Sequence, residues 1–153
     1  MTNQQRAVRK AMDYLGIRDH SRHELKTKMR KLEFEDADID YALDHVEESG
    51  WLLSPEALAL KVADQLHRKK KSHYYIMAYL QKKKLPAVPR DGNIEREKAQ
   101  KLVNSRFSRL SNPSQDDKKV MVNYLKNRGF DRETISKVLN DTSGNSKSIY
   151  RSL

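Results

Sequence analysis

Residues 18–43 read RDHSRHELKTKMRKLEFEDADIDYAL, and this stretch decides the fold. Leu25, Met29 and Leu32 recur at steps of four and three, which is one face of a helix. Ser21 stands ahead of that face with Glu24 three residues on, the spacing of a capping box. A tight corner is expected at Glu33-Phe34. Beyond it Ile39, Leu43 and Val46 repeat the step on a second helix.

The stretch recurs. An offset of 96 carries Leu25 to Met121, Met29 to Leu125, Phe34 to Phe130, Ile39 to Ile135 and Leu43 to Leu139, and it carries the Ser21 cap to Asp117. An offset of 51 carries Ser21 to Ser72, Leu25 to Ile76, Met29 to Leu80 and Phe34 to Leu85. The helix in front recurs too, with Ala7, Ala11 and Leu15 going to Leu58, Val62 and Leu66. Cap, face and corner keep one offset together, which points to a helical repeat with a period of roughly 45–50 residues. The expected fold is all-α, in three tandem three-helix units. Unit 1 covers residues 1–52, a shortened unit 2 covers 53–92, unit 3 covers 93–140, and 141–153 form a polar tail.

In chain order, a first helix from about Asn3 to Leu15 is closed by Gly16, since glycine takes a left-handed C-cap cheaply. The second and third helices follow, and Gly50 ends the third. Trp51 is expected to pack over the first unit, as tryptophan is usually mostly buried. Ser54 caps the fourth helix and Pro55 takes its first position, where the missing N–H costs nothing. Val62 and Leu66 face inward on it. Ser72 caps the fifth helix, with Ile76 and Leu80 inward. Pro86 and Pro89 then bar helix, so the third helix of unit 2 is cut short or absent. A helix from Asn93 to about Leu110 follows, with Ala99, Leu102, Val103 and Leu110 inward. The last pair covers about Asp117–Arg128 and Arg132–Asn140, with Gly129 as C-cap between them.

Composition narrows the function. Of 153 residues 34% are charged and only 37% hydrophobic, with a net charge of +10 and a pI near 9.7. That surplus favours a polyanionic partner. There is no cysteine, which excludes disulfides and thiolate chemistry and permits a cytoplasmic location. No apolar run approaches the ~20 residues that span a bilayer, so no membrane partner is expected.

The charge is segregated. Residues 33–48 hold eight acids and no Lys or Arg, so only 13 acids remain to face all 31 bases in the rest of the chain. Lys61–Lys84 alone holds eight bases against Asp64, in runs at Arg68–Lys71 and Lys82–Lys84. Two such runs suit a phosphate backbone, with salt-sensitive and nearly sequence-blind binding. Read from charge alone, the chain is a sequence-nonspecific nucleic-acid-binding helical module.

Catalytic chemistry is not visible. The five histidines make no HExxH spacing, and His20 and His23 fall short of the three or four converging ligands a metal needs. No calcium loop, phosphate-cradling glycine motif or nucleophile elbow occurs. No enzyme activity, cofactor or metal is expected.

With these residues in view, the chain resembles the RecX regulatory proteins of bacteria. The resemblance rests on Ala11-x-x-Tyr14-Leu15, Arg18-Asp19-His20-Ser21, Glu24-Leu25, Ser49-Gly50-Trp51-Leu52 and Leu58-Ala59, and it extends over about residues 6–140. It implies an elongated, curved array of three units. It also implies a monomeric partner of the RecA filament on single-stranded DNA that inhibits recombinase, ATPase and co-protease activities, and so a place in DNA repair, recombination and the SOS response. The candidate filament contacts are Arg18, Arg22, Arg68, Lys69, Lys70, Lys71, Lys82, Lys83 and Lys84. Two departures are plain: Leu53-Ser54-Pro55 stands where the family has two acids, and Lys84-Leu85-Pro86 where it has Lys-Gly-Ile.

Overall fold

The repeated corner is one backbone device used again and again. In the computed structural model, which describes residues 1–140, α1 spans Asn3–Ile17, α2 Arg22–Lys31, α3 Asp36–Glu48, α4 Pro55–Arg68, α5 His73–Lys82, α6 Gly92–Arg106 and α7 Gln115–Asn127. Residues 132–140 form α8, and no strand occurs among the described residues. At the end of α2 the Phe34 N–H donates to the Met29 carbonyl, with Glu33 left-handed at φ 67°. Leu85 donates likewise to Leu80 over Lys84 at φ 55°, and Phe130 to Leu125 over Gly129 at φ 91°. These are Schellman turns, which satisfy the last carbonyls of a helix and fold the next residue back onto it. Positions 33, 84 and 129 are the very ones related by the two offsets, which is why corner and helix face recur in register.

The caps explain the starts. Ser21 accepts the Glu24 N–H at 3.0 Å while Glu24 accepts the Ser21 N–H, a complete capping box. Ser72 accepts from the Tyr75 N–H at 3.1 Å and Ser54 from the Ala57 N–H at 3.2 Å, as their positions require. Two ends differ from expectation. Gly16 does not close α1, which runs through it to Ile17 and is capped by Arg18, whose N–H reaches the Tyr14 carbonyl. Asp117 is not the cap of α7. Ser114 is, and Asp117 fills the reciprocal position of its box, so the helix begins almost one turn early.

Packing groups the chain into two compact units, one of Met1–Val62 with Tyr79–Val88, the other of Ala63–Ala78 with the described residues from Pro89 to Asn140. In the first, Ala7 and Ala11 of α1, Leu25 and Met29 of α2, and Ile39, Ala42, Leu43 and Val46 of α3 are wholly buried around one core. In the second, Ala99 and Val103 of α6, Met121 and Leu125 of α7, Phe130, and Ile135 and Val138 of α8 build its counterpart. Each large apolar side chain taken from water contributes about 1.5–3 kcal/mol, so these faces carry the fold. The counterpart of Val46 falls at 142, and it and the 141–153 tail lie outside the described residues.

Three inner-face expectations need correction. Trp51 is 54% exposed. Gly50, left-handed at φ 79°, sends the Trp51 and Leu52 N–H groups to the Val46 carbonyl, and Leu52 rather than Trp51 enters the core. Leu110 is exposed because α6 stops at Arg106. On α4 Val62 is only half-buried, and Ala59 and Ala63 share the inner face with Leu58 and Leu66. As the two prolines led one to expect, the middle unit lacks its third helix: residues 83–91 form none, although Val88 is buried there.

Candidate nucleic-acid interface

The corner between α4 and α5 carries the Arg68–Lys71 run. α4 ends in a Schellman turn with Lys70 left-handed at φ 59° and the Lys71 N–H on the Leu66 carbonyl at 3.0 Å. Arg68 pairs with Asp64 one turn back at 2.9 Å, on an exposed surface. The Lys71 ammonium lies 4.8 Å from the centre of the Tyr75 ring, a cation–π contact. Lys69 is exposed and Lys70 half-exposed, and neither has an ion pair among the described residues.

Beneath this corner lies a buried polar cluster from α6. The Lys98 ammonium donates to His67 Nδ1 at 2.8 Å and to the Lys71 carbonyl at 2.7 Å. Its third contact is with Glu95 Oε2, an ion pair made off the hydrogen-bond line. Glu95 Oε1 accepts the His73 N–H at 2.6 Å, at the first residue of α5. Both charged side chains are almost fully buried, at 6% and 4% exposure. A buried cation needs its donors satisfied, and Lys98 spends two of its three on the end of α4 and the corner that follows, with Glu95 on its own helix beside it. Burial holds the Lys98 ammonium below its ordinary value, against the pull of Glu95. Burial also lowers His67, and the nearby Lys98 charge adds to it.

The second run ends α5. Lys83 lies 5.8 Å from the Tyr79 ring centre, Lys84 takes the left-handed position, and Lys82 and Lys84 are exposed without an ion pair among the described residues. Arg18 and Arg22 are held differently. Arg18 pairs with Glu24 at 2.8 Å, a bond that raises the guanidinium and lowers the carboxyl, which burial opposes. Arg22 reaches Asp44 at 2.6 Å and Glu47 at 2.9 Å. Lys26 with Asp40 and Arg30 with Asp36 complete a ladder between α2 and α3. The acids of 33–48 therefore neutralise Arg22, Lys26 and Arg30 of α2, while the runs at 68–71 and 82–84 keep most of their charge.

The Glu95–Lys98 pair is the feature that sequence reasoning missed. A Glu and a Lys three apart read as a surface pair. The signal was their phase: residues 95, 98, 99, 102 and 103 fall on one stripe of α6, so both charges sit among its apolar positions. Among the described residues no group of three or more metal-ligating side chains converges, and no helix is long and apolar enough to cross a membrane.

The family model described as RecX, first three-helix domain, matches residues 7–45, which is the α1–α3 core without its ends. The regulatory protein RecX of Chlorobaculum tepidum is 30% identical over 152 residues, covering 94% of this chain and 94% of its own. The chain belongs to the RecX family. The regulatory protein RecX of Prosthecochloris aestuarii is 29% identical over 89% of this chain and 93% of its own. Among solved structures, RecX from Lactobacillus salivarius superposes with a TM-score of 0.78 at 16% identity, over 92% of this chain and 97% of that one. A second structure, of regulatory protein RecX, gives 0.73 at 16%, over 90% and 73%. At that identity the likeness is one of fold. The relatives carry a regulatory name, and this chain shares the fold of both solved structures over 90% or more of its length.

Proposed function

We propose that this RecX protein regulates the RecA recombinase by binding the RecA filament on single-stranded DNA and lowering its strand-exchange, ATPase and co-protease activities. It acts as a cytoplasmic monomer and by binding alone, without catalysis. The observation that carries the reading is the division of charge: α3 acids occupy Arg22, Lys26 and Arg30, three of the five α2 bases, whereas Lys69, Lys70, Lys82 and Lys84 have no carboxylate partner among the described residues. Free lysines of this kind suit a phosphate backbone or an acidic protein face. Arg68, Lys71 and Lys83 flank them. Arg18 and Arg22 would join a filament contact only by leaving their carboxylates.

The same lysines suit a plain nucleic-acid-binding module, so the test compares partners. Binding of the labelled protein to recombinase is measured with and without single-stranded DNA, across a salt titration. The regulatory reading expects tighter binding to the filament than to either component. Equal affinity for bare DNA and for the filament favours the plain module.

A further inference from the structure

On the outer side of the Lys98 cluster the end of α4 and the flank of α6 enclose a cleft of about 420 Å³. Its lining includes His67, Arg68 and Lys70 from the α4 end, with Lys98 and Lys101 from α6. One carboxylate lines it, Glu97, and this is already bonded to Lys101 at 3.1 Å. One apolar wall is present, Ile94, which is 36% exposed.

We infer that this cleft seats one nucleotide of a single-stranded nucleic acid, its phosphate held by Lys70, Lys101 and His67 and its sugar or base set against Ile94. The inference deepens the function proposed above and rests on it for the choice of nucleic acid. The donors are fixed in place by chemistry. An ammonium only donates, so His67 Nδ1 accepts from Lys98 and the neutral ring carries its proton on Nε2. That leaves an N–H donor on a residue lining the cleft, clamped by a buried lysine. Lys98 is buried, with two protons on His67 and the Lys71 carbonyl and Glu95 beside it, so it acts as a positioning residue and a fixed positive floor. Lys70 is placed by its left-handed turn, and the carbonyl of the next residue is pinned to Lys98. The size argues for a nucleotide over an acidic side chain. About 420 Å³ lies within the range of clefts that take small-molecule groups, roughly 300–1,000 Å³, and a lone carboxylate would leave most of it to water. Ile94 gives a sugar or base an apolar contact that a carboxylate cannot use.

The test is fluorescence anisotropy of a labelled oligothymidylate with the full chain. Lys70→Ala/Lys101→Ala should weaken binding about tenfold or more and flatten the salt dependence by roughly 0.7 for each phosphate left without its lysine. The equal charge change Arg6→Ala/Arg9→Ala, on the exposed face of α1, should cost less than about threefold by screened charge alone. Ile94→Ala should weaken oligothymidylate several-fold yet leave binding to inorganic polyphosphate unchanged. Melting temperatures of all variants should match the parent. Equal losses for the two double variants would overturn the proposal, as would an Ile94→Ala effect on both polymers alike. Loss of recombinase inhibition with unchanged oligothymidylate affinity would also overturn it and assign the cleft to an acidic protein face. If the expected pattern appears while recombinase activity is untouched by the parent protein, the cleft stands and the regulatory reading fails.

Discussion

The Lys98 ammonium donates to the backbone carbonyl of Lys71 over 2.7 Å, so a buried side chain on α6 fixes the corner that displays the Arg68–Lys71 run. The cost of that device is a desolvated charge, met by Glu95 and His67. Removing one partner of a buried pair leaves the other uncompensated, at about 3–5 kcal/mol. Lys98→Met should therefore destabilise by that order in urea denaturation. Lys98→Met with Glu95→Gln should recover part of the loss, because the glutamine Oε1 can still accept the His73 N–H. A loss below about 1 kcal/mol for the single change, the level of an exposed pair, would contradict the burial.

The histidines predict a pH dependence. His20, His67 and His73 are each held below the ordinary 6.5, first by burial. The groups acting on His67 are Lys98, Glu95, Asp64 and His73. A histidine that resists protonation in the fold but takes it when unfolded makes the unfolded state bind more protons, so the stability it contributes is complete above 6.5 and is lost as pH falls through the lowered folded values. Glu24 and Asp36, also lowered, titrate beneath their ordinary 4.5 and 3.8 and act in more acidic solution. Melting temperature should be flat from about pH 8 to 7 and fall toward pH 5, with a shallower fall for His67→Gln. A melting temperature that rises on acidification would contradict the assignment.

The left-handed corners predict opposite effects at equivalent positions. A Cβ at Gly129, where φ is 91°, would stand 2.7 Å from Ser72 Oγ, the cap of α5. Gly129→Ala should destabilise by more than about 1 kcal/mol, the order of left-handed strain alone. Glu33 holds the matching position at φ 67° with strain of about 1–2 kcal/mol, against roughly 0.5–1 kcal/mol of extra chain entropy for glycine. Glu33→Gly should therefore stabilise by about 0.5–1 kcal/mol. Thermal denaturation of both variants checks the pair.

Leu25 is wholly buried at the centre of the α1–α3 core. Leu25→Ala should cost about 2–5 kcal/mol in denaturant unfolding. A change near zero would place that helix face outside the core.

What could be read in the sequence was set by local physics. Leu25, Met29, Ile39 and Leu43 announced their faces because a four-and-three step has one explanation, and Ser21 with Glu24 announced a helix start because a capping box is completed within four residues. The repeat was visible because one turn type ends α2, α5 and α7 alike. Illegible features depended on distant partners. Trp51 was the candidate for the core on residue type, and only the Gly50 turn shows that Leu52 goes there instead. Lys70 and Lys101 lie far apart in sequence, and only the packing of α6 against the end of α4 makes them walls of one cleft. The acidic α3 read as a bare charge run, and its pairing with α2 needed the α2–α3 corner to be built first.

The central claim is tested most directly by the single-stranded-DNA-dependent ATPase of the RecA filament, titrated with this protein. The account predicts a progressive loss of turnover by the parent chain and a clear weakening of that inhibition in Lys69→Ala/Lys70→Ala/Lys71→Ala, which should keep the parent's melting temperature. Undiminished turnover at a several-fold excess of the parent protein would contradict it.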